Sequence, residues 1–459
     1  FREAIGLVQL LWIADRSEFV ASAAIRSHWL VILLAPATGG LFVGLALRYL
    51  LKARRTGGVP DVIEARASPG TRLSFRQGVL SAGVTALSLG SGASAGREGP
   101  VVHLGATIAA GIGRFFDLPA WAVRTLLGCG VAAAVSASFN APIAGVLFAH
   151  EVILGHYAMR AFTPIVISST AATLLPRLWF GEAVASSIPA YSIASLWEFP
   201  AFALLGLTCG LVAIAFQITL AATDYGARAL PVPLVLRPVA GGLAVGAIGI
   251  FLPQVLGVGY DATDAALRNN LSLQLMLALV VAKTAATAIT LASRFGGGVF
   301  SPALYLGAMT GGAFGLIAAQ FFPQLASSGG LYAILGMGGV GAAVLGAPIS
   351  TTVIVFELTG GYALSIALLL VVSIANGVCN ALHGRSYFHW QLEMRGLHVS
   401  EGPARQVMLS RKVREFMVPL AENGSPPVAE ADARDVLRES DTLEYALRRF
   451  DETAREQLP

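Results

Sequence analysis

Charged side chains are scarce in this 459-residue chain, and their scarcity excludes most soluble protein classes. Lys, Arg, Asp and Glu make up 13% of the residues, against about 25% in ordinary soluble domains. Hydrophobic residues reach 55%, and the formal net charge is only +4. The sequence therefore predicts a membrane protein, and so small a surplus of cations does not indicate a nucleic-acid-binding surface.

Cysteine is also rare. Cys129, Cys209 and Cys379 lie in separate apolar segments without paired or metal-like spacing. They are expected to be small packing residues, and their positions exclude a disulfide framework. We expect no metal and no cofactor in the membrane part. No cleavable signal is visible, and a chain that opens at Phe1 is expected to be a trimmed stretch of a longer protein.

Long apolar runs are plentiful: 29–51, 126–149, 196–220, 271–291, 331–356 and 363–382. Several exceed the roughly 20 residues that a helix needs to cross a bilayer, whereas others are cut by Gly-Pro pairs. We expect about ten full crossings and several partial helices. The cations of one loop mark that loop as cytoplasmic by the positive-inside rule: Lys52, Arg54, Arg55, Arg66, Arg72 and Arg76.

One unusual pattern occurs twice. The first copy covers 100–142, from one proline to another, and Glu151 follows nine residues later. The second covers 302–348, with Glu357 again nine residues on. Apolar segments that Gly and Pro interrupt at matching places in two halves are typical of transporters. In these proteins, broken helices meet at mid-membrane and hold an ion.

Three Gly-rich breaks could direct backbone N–H groups inward. They are Thr-Gly-Gly-Val-Pro at 56–60, Gly-Arg-Glu-Gly-Pro at 96–100 and Gly-Gly-Val-Phe-Ser-Pro at 297–302. Glycine permits close backbone approach, proline suits a helix start, and N–H groups there attract anions. Together the breaks predict a site that replaces the hydration shell of a halide. Glu98 would compete for it as a tethered anion; alternatively, Arg97 and Glu98 only mark a membrane boundary.

Other ionisable side chains have more than one interpretation. Lys283 either snorkels from its apolar run to an interface or raises the positive potential of the pathway. His103 is expected to be a packed or hydrogen-bonded neutral imidazole, because no second metal ligand is near it. Glu151 and Glu357 are expected to be structural carboxylates that bond to backbone or Arg partners.

The composition changes after residue 396. Residues 397–459 are rich in charged side chains, and residues 443–450 carry apolar side chains at helical spacing. This segment is similar to the start of a CBS domain, incomplete here and cytoplasmic, and a complete CBS domain would be a possible nucleotide site. The alternative is a disordered charged tail.

The motifs together resemble those of the CLC family of chloride channels and chloride/proton antiporters. The resemblance rests on the breaks at 96–100 and 297–302, on Phe-Asn-Ala-Pro at 139–142 and on the CBS-like start, and it extends over residues 29–396. It implies an all-α helical bundle with broken and partial helices in a membrane domain of residues 1–396. That domain would hold inverted halves of about 29–225 and 235–384. It also implies a homodimer with one anion pathway per subunit.

The resemblance assigns a role to five residues. Arg97, Glu98, Gly99, Val299 and Phe300 fall at the positions that form the family's anion site. Glu98 would be the gate, since protonation lets its side chain swing out of the pathway.

The sequence departs from the family pattern at three places. Gly57, followed by Gly58, stands where a serine hydroxyl usually reaches the central anion. Loss of one neutral donor is worth about 1 kcal/mol. Phe388 falls at the inner tyrosine position, with Tyr387 one residue early. Val152 occupies the inner proton-relay position, where antiporters commonly carry glutamate.

Because valine cannot bind a proton, we expect passive, channel-like and voltage-gated conduction of chloride and other small anions. The first alternative is a chloride/proton antiporter without the usual inner glutamate, with protons delivered by His150, Glu151 or water. A remote alternative is a membrane-embedded serine hydrolase, because Gly-Ala-Ser-Ala-Gly at 92–96 contains a nucleophile-elbow pattern around Ser94. Another is a coupled carrier of an organic substrate. We expect a multi-pass protein of a bacterial-type cell membrane, and not an enzyme.

Overall fold

The computed structural model is predominantly helical, with no strand, in the part of the chain that it describes. The described residues are 1–13, 20–67, 73–157, 159–180, 191–193, 195–323, 327–359, 364–397, 411–417 and 436–453. Among them, the only strand-like contacts are two isolated bridges. The chain forms two compact units, Phe1–Gln391 and Leu392–Pro459. The predicted all-α class is confirmed.

Nine helices were found in the described residues before residue 190: α1 (Arg2–Ile13), α2 (Val20–Ile25), α3 (Trp29–Tyr49), α4 (Val59–Ala67), α5 (Phe75–Gly90), α6 (Glu98–Phe115), α7 (Ala120–Phe139), α8 (Pro142–Phe148) and α9 (Met159–Phe180). A π-helical turn, Ala149–Leu154, continues α8. Pro142 starts α8 at a position where its missing N–H costs nothing.

The rest of the first unit contains α10 (Phe199–Ala229), α11 (Arg237–Phe251), α12 (Tyr260–Leu267), α13 (Leu273–Ala292), α14 (Phe300–Phe321), α15 (Gly329–Leu345), α16 (Pro348–Thr359), α17 (Ser365–Leu382) and α18 (Tyr387–Glu393). Helices α3 to α9 correspond in order to α11 to α17. In both series a short helix, α4 or α12, precedes a longer one that leads into a Gly-rich break. This order fits the expected repeat.

The repeated Ala-Pro steps are helix breaks of the same construction. Helix α7 ends at Asn140 with φ 54°, and α15 ends at Gly346 with φ 67°. A left-handed residue closes a helix C-terminus, and the following Ala-Pro starts the next helix. The motif repeat therefore corresponds to a repeat of local backbone structure.

Glycines let the long helices cross in close contact. A Cβ at Gly105 of α6 would lie 2.4 Å from the carbonyl oxygen of Gly130 in α7. In the second series, a Cβ at Gly307 of α14 would lie 2.3 Å from the carbonyl oxygen of Gly336 in α15. Such contacts allow helices to pack without a water-driven hydrophobic effect, and every residue of α15 is buried.

Six of the described helical segments are long and apolar enough to cross a membrane. Four apolar helical segments are shorter, at 10–17 residues. The expectation of about ten full crossings is therefore too high for the described residues. Length explains the difference, because interrupted runs such as 331–356 form two shorter helices, α15 and α16.

The second unit contains α19 (Leu443–Thr453), which confirms the predicted amphipathic helix. Before it, the amide of Val413 donates to the carbonyl of Asp441 (2.9 Å), and the amide of Leu443 donates to the carbonyl of Arg411 (2.8 Å). Residues 398–410, 418–435 and 454–459, including most of the predicted linker, lie outside the described residues. The CBS assignment stays a prediction.

Candidate functional site

The second and third Gly-rich breaks bond directly to each other. The amide of Gly96 donates to the carbonyl of Gly298 (2.7 Å), and the amide of Gly298 donates back to Gly96 (2.8 Å). This reciprocal pair brings the start of α6 to the start of α14. A Cβ at Gly99 would lie 3.7 Å from the Cα of Gly298, so no side chain separates the two tips.

Both helix starts carry backbone donors in buried surroundings. Arg97 is the N-cap of α6 and Val299 is the N-cap of α14. Val299 and Phe300 are 1% and 2% exposed. The first N–H groups of a helix have no intrahelical partner, and the helix dipole gives this end a partial positive charge. Two such ends at one place form a site that favours an anion.

The carboxylate of Glu98 lies at this meeting point. Glu98 is 1% exposed; its Oε1 accepts from the hydroxyl of Tyr260 (3.3 Å) and is 4.0 Å from Nε of Arg97. Its Oε2 has no hydrogen-bond partner among the described residues. A Cβ at Gly96 would lie 2.8 Å from that Oε2 and 3.0 Å from the amide nitrogen of Ser301. The carboxylate is therefore held beside the start of α14.

Sequence reasoning missed Tyr260. Its signal was the glycine pair at 257 and 259, a further break directly before a short helix. Gly259 has φ 96° and is the N-cap of α12, so the break turns the chain into a helix whose first residue contacts the Glu98 carboxylate. Arg97 also lies over the Tyr260 ring at 5.2 Å, which orders both residues around Glu98.

The first break is arranged differently from the other two. The amide of Gly57 donates to the Ser81 hydroxyl (2.7 Å), and the amide of Gly58 donates to the Asp61 carboxylate (2.8 Å). The structure therefore does not support the prediction that these two amides turn towards an anion, because both are paired within the protein. A Cβ at Gly57 would lie within 2.6 Å of three ring atoms of His103.

Lys283 is fully buried, so the expectation that it snorkels to an interface is wrong. Its ammonium donates to the carbonyls of Val255 and Gly257, both at 2.9 Å, and lies 5.2 Å from the Tyr305 ring centre. It has no ion pair among the residues that the structure describes. The two carbonyls belong to the loop that precedes α12, so a positive charge stabilises the segment that presents Tyr260.

The repeated glutamates each cap a helix of the other series. Glu151 accepts from the amides of Ile349 (3.1 Å) and Ser350 (2.7 Å) at the start of α16. Glu357 accepts from the amides of residues 143 (3.0 Å) and 144 (2.7 Å) at the start of α8. The prediction that these carboxylates bond to backbone is confirmed, and both act where the helix dipole favours a negative charge.

The inner relay position contains no titratable group. Val152 lies half-buried in the π-helical turn, beside Glu151, which is engaged with α16. His150 is 1% exposed; its Nδ1 is 3.1 Å from the carbonyl of His156, and its ring stacks on Tyr157 at 5.6 Å. Glu151 is therefore engaged by the α16 amides, whereas His150 Nε2 has no hydrogen-bond partner among the described residues.

Tyr387 and Phe388 are both buried, at 7% and 6% exposed. The Tyr387 hydroxyl accepts from Gln391 (3.0 Å), and its ring lies 5.6 Å from that of Trp390. Tyr387 also lines a cavity of about 240 Å³ against α10, and the assignment of Tyr387 or Phe388 to an inner position stays a prediction.

Ser94 does not form a nucleophile elbow. Its hydroxyl is completely buried and donates to the carbonyl of Val255 (2.7 Å), with Thr287 as the other hydroxyl near it (3.5 Å). A strand-to-helix turn and a histidine base are required for that chemistry, and neither was found at Ser94 among the described residues. The serine instead connects the second break to the loop before α12.

The model of the family described as voltage-gated chloride channel matches residues 39–380. The chain is 34% identical over 377 residues to a "Putative chloride channel protein ClcB-like" of Ralstonia nicotianae, covering 81% of this chain and 87% of that protein. It is 30% identical to "Chloride channel protein CLC-e" of Arabidopsis thaliana, covering 80% of this chain and 55% of the plant protein.

Among solved structures, that of "a slow cyanobacterial Cl-/H+ antiporter" superposes with a TM-score of 0.75. The sequences are 22% identical, and the superposition covers 86% of this chain and 94% of the other. At this identity the likeness shows a common fold.

Proposed function

Because the chain belongs to the voltage-gated chloride channel family, we propose that it conducts chloride past the joined starts of α6 and α14. One observation carries the proposal: the Gly96–Gly298 hydrogen-bond pair brings two helix N-termini to the buried carboxylate of Glu98. Arg97, Gly99, Val299 and Phe300 belong to the same two breaks, and we assign them to the anion site with Glu98. A chloride ion would take the place of the carboxylate when the side chain moves away.

Glu98 is the gate in this proposal. Its ionised carboxylate competes with chloride for the same partial positive charges. A protonated carboxyl carries no negative charge and therefore competes less well. Tyr260 and Arg97 contact Oε1, while the unpartnered Oε2 has little to hold it in the protein. The balance between the two positions of the side chain therefore depends on proton concentration, on chloride and on the membrane potential.

Passive conduction is the mode that we propose. A coupled exchanger needs a group that brings protons to the gate from the inner side, and Val152 cannot serve. Glu151 is engaged with the α16 amides, and the His150 ring contacts His156 and Tyr157 but keeps an unpartnered Nε2 in the described part of the chain. The alternative is chloride/proton exchange, the activity named for the cyanobacterial protein, with water as the inner carrier. A homodimer, a cell-membrane location and a sensory CBS region complete the proposal by family resemblance alone.

Reconstituted protein tests both points at once. Liposomes under a chloride gradient are followed with a chloride electrode and a proton-sensitive dye. Passive conduction predicts chloride efflux without uphill proton movement. Proton uptake against the proton gradient would contradict passive conduction and support chloride/proton exchange. Glu98→Gln should leave chloride flux that no longer changes between acidic and neutral pH. A variant that keeps the wild-type pH response would remove Glu98 from the gate.

A further inference from the structure

The side-chain volume in front of Gly57 is occupied by another residue. A Cβ built on Gly57 would lie 2.4 Å from Cε1, 2.5 Å from Nε2 and 2.6 Å from Nδ1 of His103. These distances are all below the contact limit for a real Cβ, so no side chain at residue 57 can coexist with the present ring position. The imidazole fills the place where a residue-57 side chain would begin.

The His103 ring has unused hydrogen-bonding capacity in a buried position. The residue is 8% exposed. Its backbone carbonyl accepts from the Thr107 hydroxyl (2.7 Å), but neither ring nitrogen has a hydrogen bond in the described part of the chain. A neutral imidazole always carries one N–H donor, and the ring nitrogens of His103 are not among the fully enclosed unpartnered atoms of the described residues. The ring therefore has a donor available for a ligand.

The other potential hydrogen-bond donors at the first break, the amides of residues 57 and 58, already have partners. Amides 57 and 58 are paired with Ser81 and Asp61, and the Asp61 carboxylate is itself paired with Arg55 (2.6 Å). The ring is thus placed at the start of α4, beside a carboxylate whose charge a guanidinium offsets. His103 also lies on α6, five residues after Glu98, or about 7.5 Å further along the helix axis.

We propose that the His103 imidazole is the side-chain donor to the permeating anion at the first break, and that Gly57 is required because the ring fills its side-chain volume. The ligand is a small monovalent anion such as chloride or nitrate. An anion that leaves the Glu98 position would next be met by this N–H instead of by a hydroxyl at residue 57. The inference rests on the proposed anion pathway and specifies one of its contacts.

Three variants test the donor. His103→Phe keeps a planar ring without an N–H, His103→Gln keeps a donor without the ring, and His103→Ala combined with Gly57→Ser returns a hydroxyl to residue 57. Chloride and nitrate binding to purified protein is measured by isothermal titration, and the nitrate-to-chloride flux ratio is measured in liposomes. We expect His103→Phe to weaken chloride binding by about tenfold and to change the flux ratio. His103→Gln and the double variant should recover part of the affinity.

The outcomes separate this inference from the proposed function. If wild-type protein neither binds nor transports chloride, the proposed function fails. If wild type does both and His103→Phe matches it in affinity and flux ratio, only the His103 contact is wrong. Should His103→Phe not fold, the other two variants decide, because a merely structural ring would not let a serine at residue 57 restore anion affinity. Gly57→Ser alone, with His103 present, should be less stable than the double variant.

Discussion

Replacement of Glu357 should uncouple the two helix series at the start of α8. The carboxylate accepts two backbone N–H groups, at 3.0 Å and 2.7 Å, that have no partner within their own helix. A hydrogen bond to a charged group contributes about 1.5 to 3 kcal/mol. Because Glu357 is only half-buried, the lower figure applies to each of its two hydrogen bonds. Glu357→Ala should therefore lower the free energy of unfolding by about 3 kcal/mol.

Glutamine at the same position gives a graded comparison. Its carbonyl oxygen can accept one of the two N–H groups, but its NH₂ group then faces the other. Glu357→Gln should therefore cost about half as much as alanine, about 1.5 kcal/mol. Glu151→Gln is the corresponding change in the other series; it should cost at least as much, because Glu151 accepts from the Ser350 hydroxyl as well as from the amides of Ile349 and Ser350.

Chemical and thermal unfolding of the detergent-solubilised protein, followed by tryptophan fluorescence, would measure these differences. Asp264→Asn is the control, since its pair with Arg268 is a partly exposed i,i+4 contact that should contribute less than about 1 kcal/mol. If Glu357→Ala unfolds together with wild type and with this control, the carboxylate does not cap α8 and the reasoning is refuted.

Three further changes address the gate and its supports. Gly96→Ala would place a methyl group 2.8 Å from Oε2 of Glu98. The methyl group should displace the carboxylate and weaken the pH dependence of chloride flux. Gly83→Ala is the control: a Cβ at residue 83 has open space around it, so the pH dependence should stay intact. An unaltered pH profile in the first variant would contradict the carboxylate position. Lys283→Met should remove two hydrogen bonds from the loop before α12 and reduce both stability and flux, measured by unfolding and efflux; full stability would count against its structural role. Ser94→Ala should retain most of the chloride efflux, as expected of a serine that only connects the second break to Val255; complete loss of efflux would show that Ser94 is needed for conduction.

The sequence by itself determined the fold class, the broken helices and the position of Glu98 at one of the breaks. Composition predicts a membrane protein because each side chain has its own free energy of transfer into lipid, which does not depend on tertiary contacts. Gly and Pro act on their own backbone, so the breaks at 96–100 and 297–302 could be located without a structure. For the same reason the apolar spacing predicted α19. The matched spacing also identified Glu151 and Glu357 as carboxylates with equivalent roles.

The partners of these residues were decided only by the tertiary structure. The contacts of Gly96 with Gly298, of Glu98 with Tyr260 and of Glu357 with the α8 amides join residues far apart in the chain, and local propensities do not encode such pairs. Burial likewise depends on neighbouring segments. The sequence allowed Lys283 to snorkel to an interface, whereas the structure pairs its ammonium with the carbonyls of Val255 and Gly257. The position of His103 in the side-chain volume of Gly57 has the same origin, because the packing of α6 against the first break, and not the sequence of either segment, brings the ring to that glycine.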